Sequence, residues 1–471
     1  MLKKYIHLLS FVFIATSAPL VASSLPSSLS SVDCLSINQH TDKMLEYIDD
    51  GTFRYSNDVD EDNLNFSFEA AIPYAEYITY ASKNIALRKP LAELPCPLFT
   101  DTYKLIATQN NWAGITKVKH LVAPFELTQE NNQKAILLIH GLTDSPYLFH
   151  DLAYFFYQQG FNVRTLLLPG HGTAPSDLID VDYEDWQQAA DYAINRTLAD
   201  YEQVYLGGFS TGGALIFNHL MQQEYVSEKI KGLLMWSPAS KAKSDIAWLA
   251  RYIDYVPFMD WVDKDADIDF AKYESFPFNA GAQVHGLMEN IVGEDARAEN
   301  KFHNIPLWVA ASEHDQTIAT ESTLELINHW HTGRQILNSD EELATTLPAS
   351  SVETTLVYFG DISAAETKLS STIKLISPSC EQEGICKEVL NVAHTATTNS
   401  PENPHYGNAG QYRNCGHYLA DLERYQECKT TDELYMGELT EINLSKDKLI
   451  QRLTFNPYYQ KMLSHIKVFI Q

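Results

Sequence analysis

The chain has 471 residues, 45% of them hydrophobic and 20% charged, enough for a large core in two or three domains or in one elaborated α/β domain. With 61 acidic against 34 basic residues the formal net charge is −27, so polyanions such as nucleic acid, and anionic membrane surfaces, are repelled on average. The same charge keeps the protein soluble, and no internal repeat or low-complexity domain interrupts it.

Lys3 and Lys4 precede a mostly apolar stretch, residues 5–21, and the small residues Ala22, Ser23 and Ser24 follow. This is the pattern of a secretory signal over residues 1–24, and it implies a secreted or periplasmic protein. His7, Ser10, Thr16 and Ser17 make the stretch a poor permanent span; an uncleaved anchor is the alternative. Ser-Val-Asp before Cys34 does not look like a lipoprotein cleavage site. No other segment is long and apolar enough to cross a bilayer, so no integral span is expected once the signal is removed. Residues 23–31, rich in Ser and Pro, read as a flexible leader. Six cysteines, Cys34, Cys96, Cys380, Cys386, Cys415 and Cys428, suit an exported protein. They allow 15 pairings, and short loops favour Cys380 with Cys386 and Cys415 with Cys428, leaving Cys34 with Cys96.

Residues 25–115 read as an N-terminal helical extension without a catalytic pattern. Residues 68–94 read mainly as helix, with Pro73 and Pro90 as its start and stop. Asp58-Val59-Asp60-Glu61-Asp62-Asn63, with Glu69 twelfth, has the acidic spacing of a calcium loop. However, Asn63 stands where Gly belongs and Asn65 where an apolar residue does. Asp263, Asp265, Asp267 and Asp269 repeat the spacing with Ile268 at the glycine position. A solvated acidic loop is the reading adopted for both.

From residue 116 strand and helix alternate, which implies a parallel sheet with covered faces and ligand sites at the carboxyl ends of its strands. Residues 135–139 are a continuous apolar run, expected for a strand buried on both faces. Ser145 and Pro146 then open a helix, as cap and first residue, that Gly160 stops. Residues 161–168 form the next strand and 182–201 the next helix. Residues 204–206 lead into Gly207-Gly208-Phe209-Ser210-Thr211-Gly212-Gly213, a strand, sharp turn and helix with a hydroxyl at the apex. This is G-x-S-x-G, the nucleophile elbow. Side chains at Gly208 and Gly212 would collide where strand and helix nearly touch, and the amide of Thr211 at the helix N-terminus can donate to an oxyanion. At average usage of Gly and Ser the pattern alone arises by chance in roughly one chain in six of this length, so its context decides.

That context is His140-Gly141-Leu142-Thr143-Asp144-Ser145, Leu168-Pro169-Gly170-His171-Gly172-Thr173 and Gly208-Phe209-Ser210-Thr211-Gly212, each at a strand end. In this order and spacing the motifs resemble the α/β-hydrolase superfamily, and most closely the branch of monoacylglycerol lipases and bacterial carboxylesterases, often labelled lysophospholipase-like. The resemblance runs from about residue 120 to the C-terminus. It implies the α/β-hydrolase fold, a mostly parallel central sheet with helices on both faces and an inserted cap. The core then comprises residues 116–240 and 304–471 and the cap residues 241–303. It also implies a Ser, an acid and a His in that chain order. Asp315, in the loop behind the strand at 306–311, matches the acid and is favoured over Glu313. His394, after an expected last strand at 389–393, matches the base and is favoured over His405. Leu142 matches the second oxyanion donor beside Thr211. His140 and His171 read as structural hydrogen-bonders. His329 and His331 are alternate helix residues that share no face.

The expected function is therefore an exported serine hydrolase of carboxylic esters, acting through Ser210, His394 and Asp315. Amide hydrolysis, acyl transfer and a non-catalytic binding protein of the same fold are the alternatives. No metal and no cofactor is called for, the expected partner is a small-molecule or lipid ester, and the oligomeric state is open. Trp248, Tyr252, Tyr255, Val256, Phe258, Met259 and Trp261, then Tyr273, Phe276 and Phe278, either line an acyl pocket or form the cap's own core. Between Asp315 and His394 the family pattern is stretched by an apparent extra strand at 354–358 and an acidic, cysteine-closed loop. The C-terminus reads as a helix with Tyr459, Met462, Leu463, Ile466 and Phe469 inward.

Overall fold

The computed structural model describes residues 32–59, 64–112, 114–244, 260–292, 305–339, 353–380, 383–445 and 448–471. The expected signal, the centre of the first calcium-like loop and the aromatic residues from Trp248 to Met259 lie outside them. The strands, in chain order, are β1 (Glu126–Leu127), β2 (Lys134–Ile139), β3 (Asn162–Leu166), β4 (Gln203–Phe209), β5 (Ile230–Trp236), β6 (Trp261–Asp263), β7 (Phe276–Pro277), β8 (Leu307–Ser312), β9 (Thr354–Phe359), β10 (Lys374–Ile376), β11 (Tyr435–Gly437) and β12 (Ile450–Arg452).

An eight-stranded sheet runs β1-β3-β2-β4-β5-β8-β9-β10, with only β1 antiparallel to its neighbour. Apolar runs explain its centre: β2 is buried from Ala135 to Ile139 and β4 from Val204 to Phe209, as strands covered on both faces must be. The order places β2, β4 and β8 so that the loops after them meet at one edge. The helix Tyr183–Asp200 starts at a capping box made by Asp182 and Asp185. The C-terminal helix Tyr459–Phe469 buries Tyr459, Met462 and Ile466 while Leu463 and Phe469 stay half-buried against the core.

The segment before the sheet is anchored to it by tyrosines. On the helix Tyr74–Arg88, Tyr74 Oη donates to the Thr165 carbonyl at 2.8 Å and Tyr77 Oη to that of Leu167 at 2.7 Å. The disulfides are Cys34–Cys96, Cys380–Cys386 and Cys415–Cys428, the set that short loops favour. β6 and β7 form a separate antiparallel ladder, followed by the helix Phe278–Val292 that packs on the helices Tyr183–Asp200 and Thr211–Gln222.

Several expectations are corrected. Residues 389–393 form no sheet strand; Val389 makes an isolated bridge to Met436 instead. By contrast, the extra strand expected at 354–358 is present as β9, between β8 and β10 in the sheet. Ser145 does not cap a helix: its hydroxyl donates to the Ala271 carbonyl at 2.7 Å, and a 3-10 turn, Pro146–Phe149, precedes the helix His150–Gln158. The second acidic run is not solvated. Asp263 is exposed, but Asp265, Asp267 and Asp269 are buried, because donors from distant parts of the chain meet them: Tyr425 reaches Asp265, Arg54 reaches Asp267, and His405 and Tyr406 reach Asp269.

Candidate active site

Ser210 follows β4 at φ 49°, ψ −115°, a strained backbone for a non-glycine residue, costing of order 1–3 kcal/mol. Packing holds it there. A Cβ at Gly208 would lie 2.5 Å from the Gly213 nitrogen, and one at Gly212 would lie 2.0 Å from the Ile139 carbonyl oxygen, so larger residues would separate strand from helix. The Ser210 amide donates to the Trp236 carbonyl at 3.0 Å, and its own carbonyl accepts from Ala214 and Ala239.

The loops after β8 and before β11 bring two more side chains to this serine. His394 Nε2 lies 3.0 Å from Ser210 Oγ, and His394 Nδ1 lies 2.6 Å from Asp315 Oδ2. The other Asp315 oxygen accepts from the amides of Thr317 and Ile318 at 2.8 and 2.7 Å. All three side chains are buried. Glu313 turns away, accepting from the Asp361 amide at 2.7 Å. His405 instead pairs with Asp269, Nε2 to Oδ1 at 2.8 Å.

An ion pair between the buried Glu438 and the half-buried Arg452 ties the His394 turn to the Asp315 loop. Glu438, just after β11, accepts from the His394 amide at 3.0 Å and from Arg452 Nε at 2.7 Å. Arg452, in β12, also donates to Thr317 Oγ1 at 2.7 Å. Burial alone would raise the Glu438 pKa; the guanidinium and these amides hold it below its ordinary value. The sequence reading missed both residues: they lie far from the motifs, and no local pattern marks them.

The loop after β2 carries Leu142, with Thr143 next at φ 67°. Two histidines fix it. His171 Nε2 accepts from the Thr143 amide at 3.1 Å, and His140 Nε2 accepts from the Leu168 amide at 3.1 Å. Each Nδ1 faces a carbonyl, of Pro169 for His171 and of Gly141 for His140, which assigns the Nδ1–H tautomer to both. Burial keeps them neutral: the His171 pKa falls to about 4 and that of His140 well below the usual value.

Ser210 and His394 open onto a cavity of about 680 Å³ that Leu142 and Thr211 also line, within the range of small-molecule sites. Phe276, Phe278, Val284, Met288 and Ile318 form its apolar wall, and Asp144, Asp265, Lys272, Glu274 and Tyr412 a polar one.

Comparison with known proteins agrees with this architecture. The model of the α/β hydrolase fold family matches residues 134–361, a span that ends before His394. The chain is 25% identical over 227 residues to a carboxylesterase of Bacillus subtilis (strain 168), covering 47% of this chain and 88% of that protein. It is 29% identical over 197 residues to a thermostable monoacylglycerol lipase of Bacillus sp. (strain H-257), covering 40% and 73%. Among solved structures, a monoacylglycerol lipase of Paleococcus ferrophilus aligns with TM-score 0.34 and 19% identity over 44% of this chain and 83% of that one. Sheet order, serine turn and the family match over residues 134–361 identify the α/β-hydrolase fold, and the sequence relatives named above are a carboxylesterase and a monoacylglycerol lipase.

Proposed function

We propose that the protein hydrolyses carboxylic esters with Ser210 as nucleophile, His394 as general base and acid, and Asp315 as the group that orients the imidazole. The observation that carries this reading is the row from Ser210 Oγ through His394 to Asp315, at 3.0 and 2.6 Å. A serine hydroxyl is a weak nucleophile until a base accepts its proton. His394 Nε2 is within reach to do so as Oγ attacks the ester carbonyl, and Asp315 stabilises the resulting imidazolium. The tetrahedral oxyanion accepts from the amides of Leu142 and Thr211, and losing one such donor typically costs about two to three decades of rate. Collapse expels the alcohol, which takes the proton from His394, and leaves an acyl-Ser210 ester. Water then repeats the sequence and releases the acid.

The leader pattern and three disulfides support export to an oxidising compartment. Thiol titration of denatured protein, with and without reductant, checks this: free thiols are expected only after reduction, and six without it would reject export. Hydrolysis of p-nitrophenyl esters by wild type and Ser210→Ala tests the reaction. Loss of turnover in the variant is expected; equal rates would end the proposal.

A further inference from the structure

Three carboxyl groups with few basic partners, those of Asp144, Asp265 and Glu274, line the cavity. Glu274 accepts from Tyr412 Oη at 2.9 Å and from the Ile268 amide at 2.9 Å, and Asp265 accepts from Tyr425 Oη at 3.2 Å. These partners are neutral donors. The cations at hand are Lys272, whose Nζ is 3.9 Å from Asp144 Oδ1, Arg452, already held by Glu438, and Lys429, which donates to the Arg413 carbonyl and lies over the Tyr412 and Tyr425 rings. Asp144 is 4% exposed, and its second oxygen Oδ2 is buried without a hydrogen-bond partner. A buried carboxylate oxygen left in that state is costly. The crowding shows in the titration of the wall: burial and then Asp265 push Glu274 up to about 8, and burial pushes Asp144 to about 6. The rings of Tyr412 and Tyr273 line the same space, and tyrosine rings attract cations.

We infer that the wall formed by Asp144, Asp265 and Glu274 binds a positively charged nitrogen of the substrate, so that esters carrying an ammonium group are preferred over neutral or anionic esters of the same shape. This rests on the ester-hydrolase reading above. A bound ammonium would offset the charge of Asp144 and Asp265 and favour release of the proton that Glu274 otherwise retains at neutral pH. The apolar wall would take the hydrocarbon part of the ester.

The test compares two isosteric substrates, a choline ester and the 3,3-dimethylbutyl ester of the same acid, in which carbon replaces the charged nitrogen. The choline ester should show kcat/KM about tenfold higher or more, the scale of one partly screened charge pair, although the neutral ester is the more hydrophobic. In Glu274→Gln and Asp144→Asn the ratio should fall towards one. A wild-type ratio at or below one overturns the inference while leaving the ester reading intact, and a ratio that both variants retain overturns its assignment to this wall. Calorimetric titration of Ser210→Ala with choline, against 3,3-dimethylbutanol, separates the two claims. Choline binding without turnover of any ester by wild type would sustain the cation site and sink the hydrolase; no preference for choline would overturn the site.

Discussion

Among the described residues two histidine–aspartate pairs have both side chains buried, and one of these two meets a serine. His394 and Asp315 are 2.6 Å apart, and His405 and Asp269 are 2.8 Å apart. The difference lies at the second ring nitrogen. His394 presents Nε2 to Ser210 at the cavity, whereas His405 Nδ1 has no hydrogen-bond partner and its ring is packed among Tyr147, Phe270, Tyr406 and Tyr412. A histidine–carboxylate pair is therefore not by itself a site; a nucleophile and an open space beside it are what give it a reaction. The enclosed pair serves the architecture instead. It fastens the loop before Tyr406 to the buried acidic run at Asp269.

Exchanging the two pairs experimentally gives the largest contrast. Ser210→Ala and His394→Ala should each lower kcat by about four decades or more, and Asp315→Asn by about four, measured on one p-nitrophenyl ester. His405→Gln should leave kcat within a few-fold of wild type. Comparable activity losses at both histidines would erase the distinction. Asp269→Asn should act on stability, since breaking a fully buried pair costs about 3–5 kcal/mol, read as a lower denaturant midpoint with kcat preserved. Burial would raise Asp269's pKa, but His405 and the hydrogen bonds around it hold it below its ordinary value. A depressed carboxylate contributes stability that is present above its unfolded pKa and fades as acid protonates the folded form. The wild type should accordingly lose more stability than Asp269→Asn as pH drops below the ordinary carboxylate range.

A smaller effect is expected at Glu438, which under the proposed mechanism acts on the reaction through the His394 turn. Glu438→Gln keeps the shape but leaves Arg452 uncompensated beside the acid loop. Kinetics should show kcat reduced about tenfold with KM little changed, the pattern of a lost alignment rather than lost binding; a rise in KM alone would refute the positioning role. A further effect concerns stability at Glu274. Its folded pKa is raised from 4.5 to about 8, so between these values the folded state holds more protons than the unfolded one, and stability falls as pH rises. Thermal melts should show that fall across the window in wild type and a shallower one in Glu274→Gln.

What could be read from the sequence tracks the distance over which each feature is built. The serine turn depends on glycines within a few residues of Ser210, so its spacing is visible in one line of text. Asp315 is placed by the family's order of Ser, acid and His, which points to the short loop behind an apolar strand but leaves Glu313 as a local competitor. His394 could be placed only through its resemblance to the family's motif, since the strand expected before it is absent and Glu438 holds the turn instead. Glu438 and Arg452 carry no local pattern. The acidic run at 263–269 misleads for the converse reason. Four aspartates in alternation look solvated, and only contacts with Arg54, His405 and Tyr425 bury three of them.

The most direct test of the account is to map a fluorophosphonate adduct by mass spectrometry in wild type, His394→Ala and His405→Gln. The account predicts an adduct on Ser210 in wild type and in the His405 variant, and its loss in the His394 variant. Labelling of another serine, or labelling of Ser210 that survives removal of His394 unchanged, would contradict it.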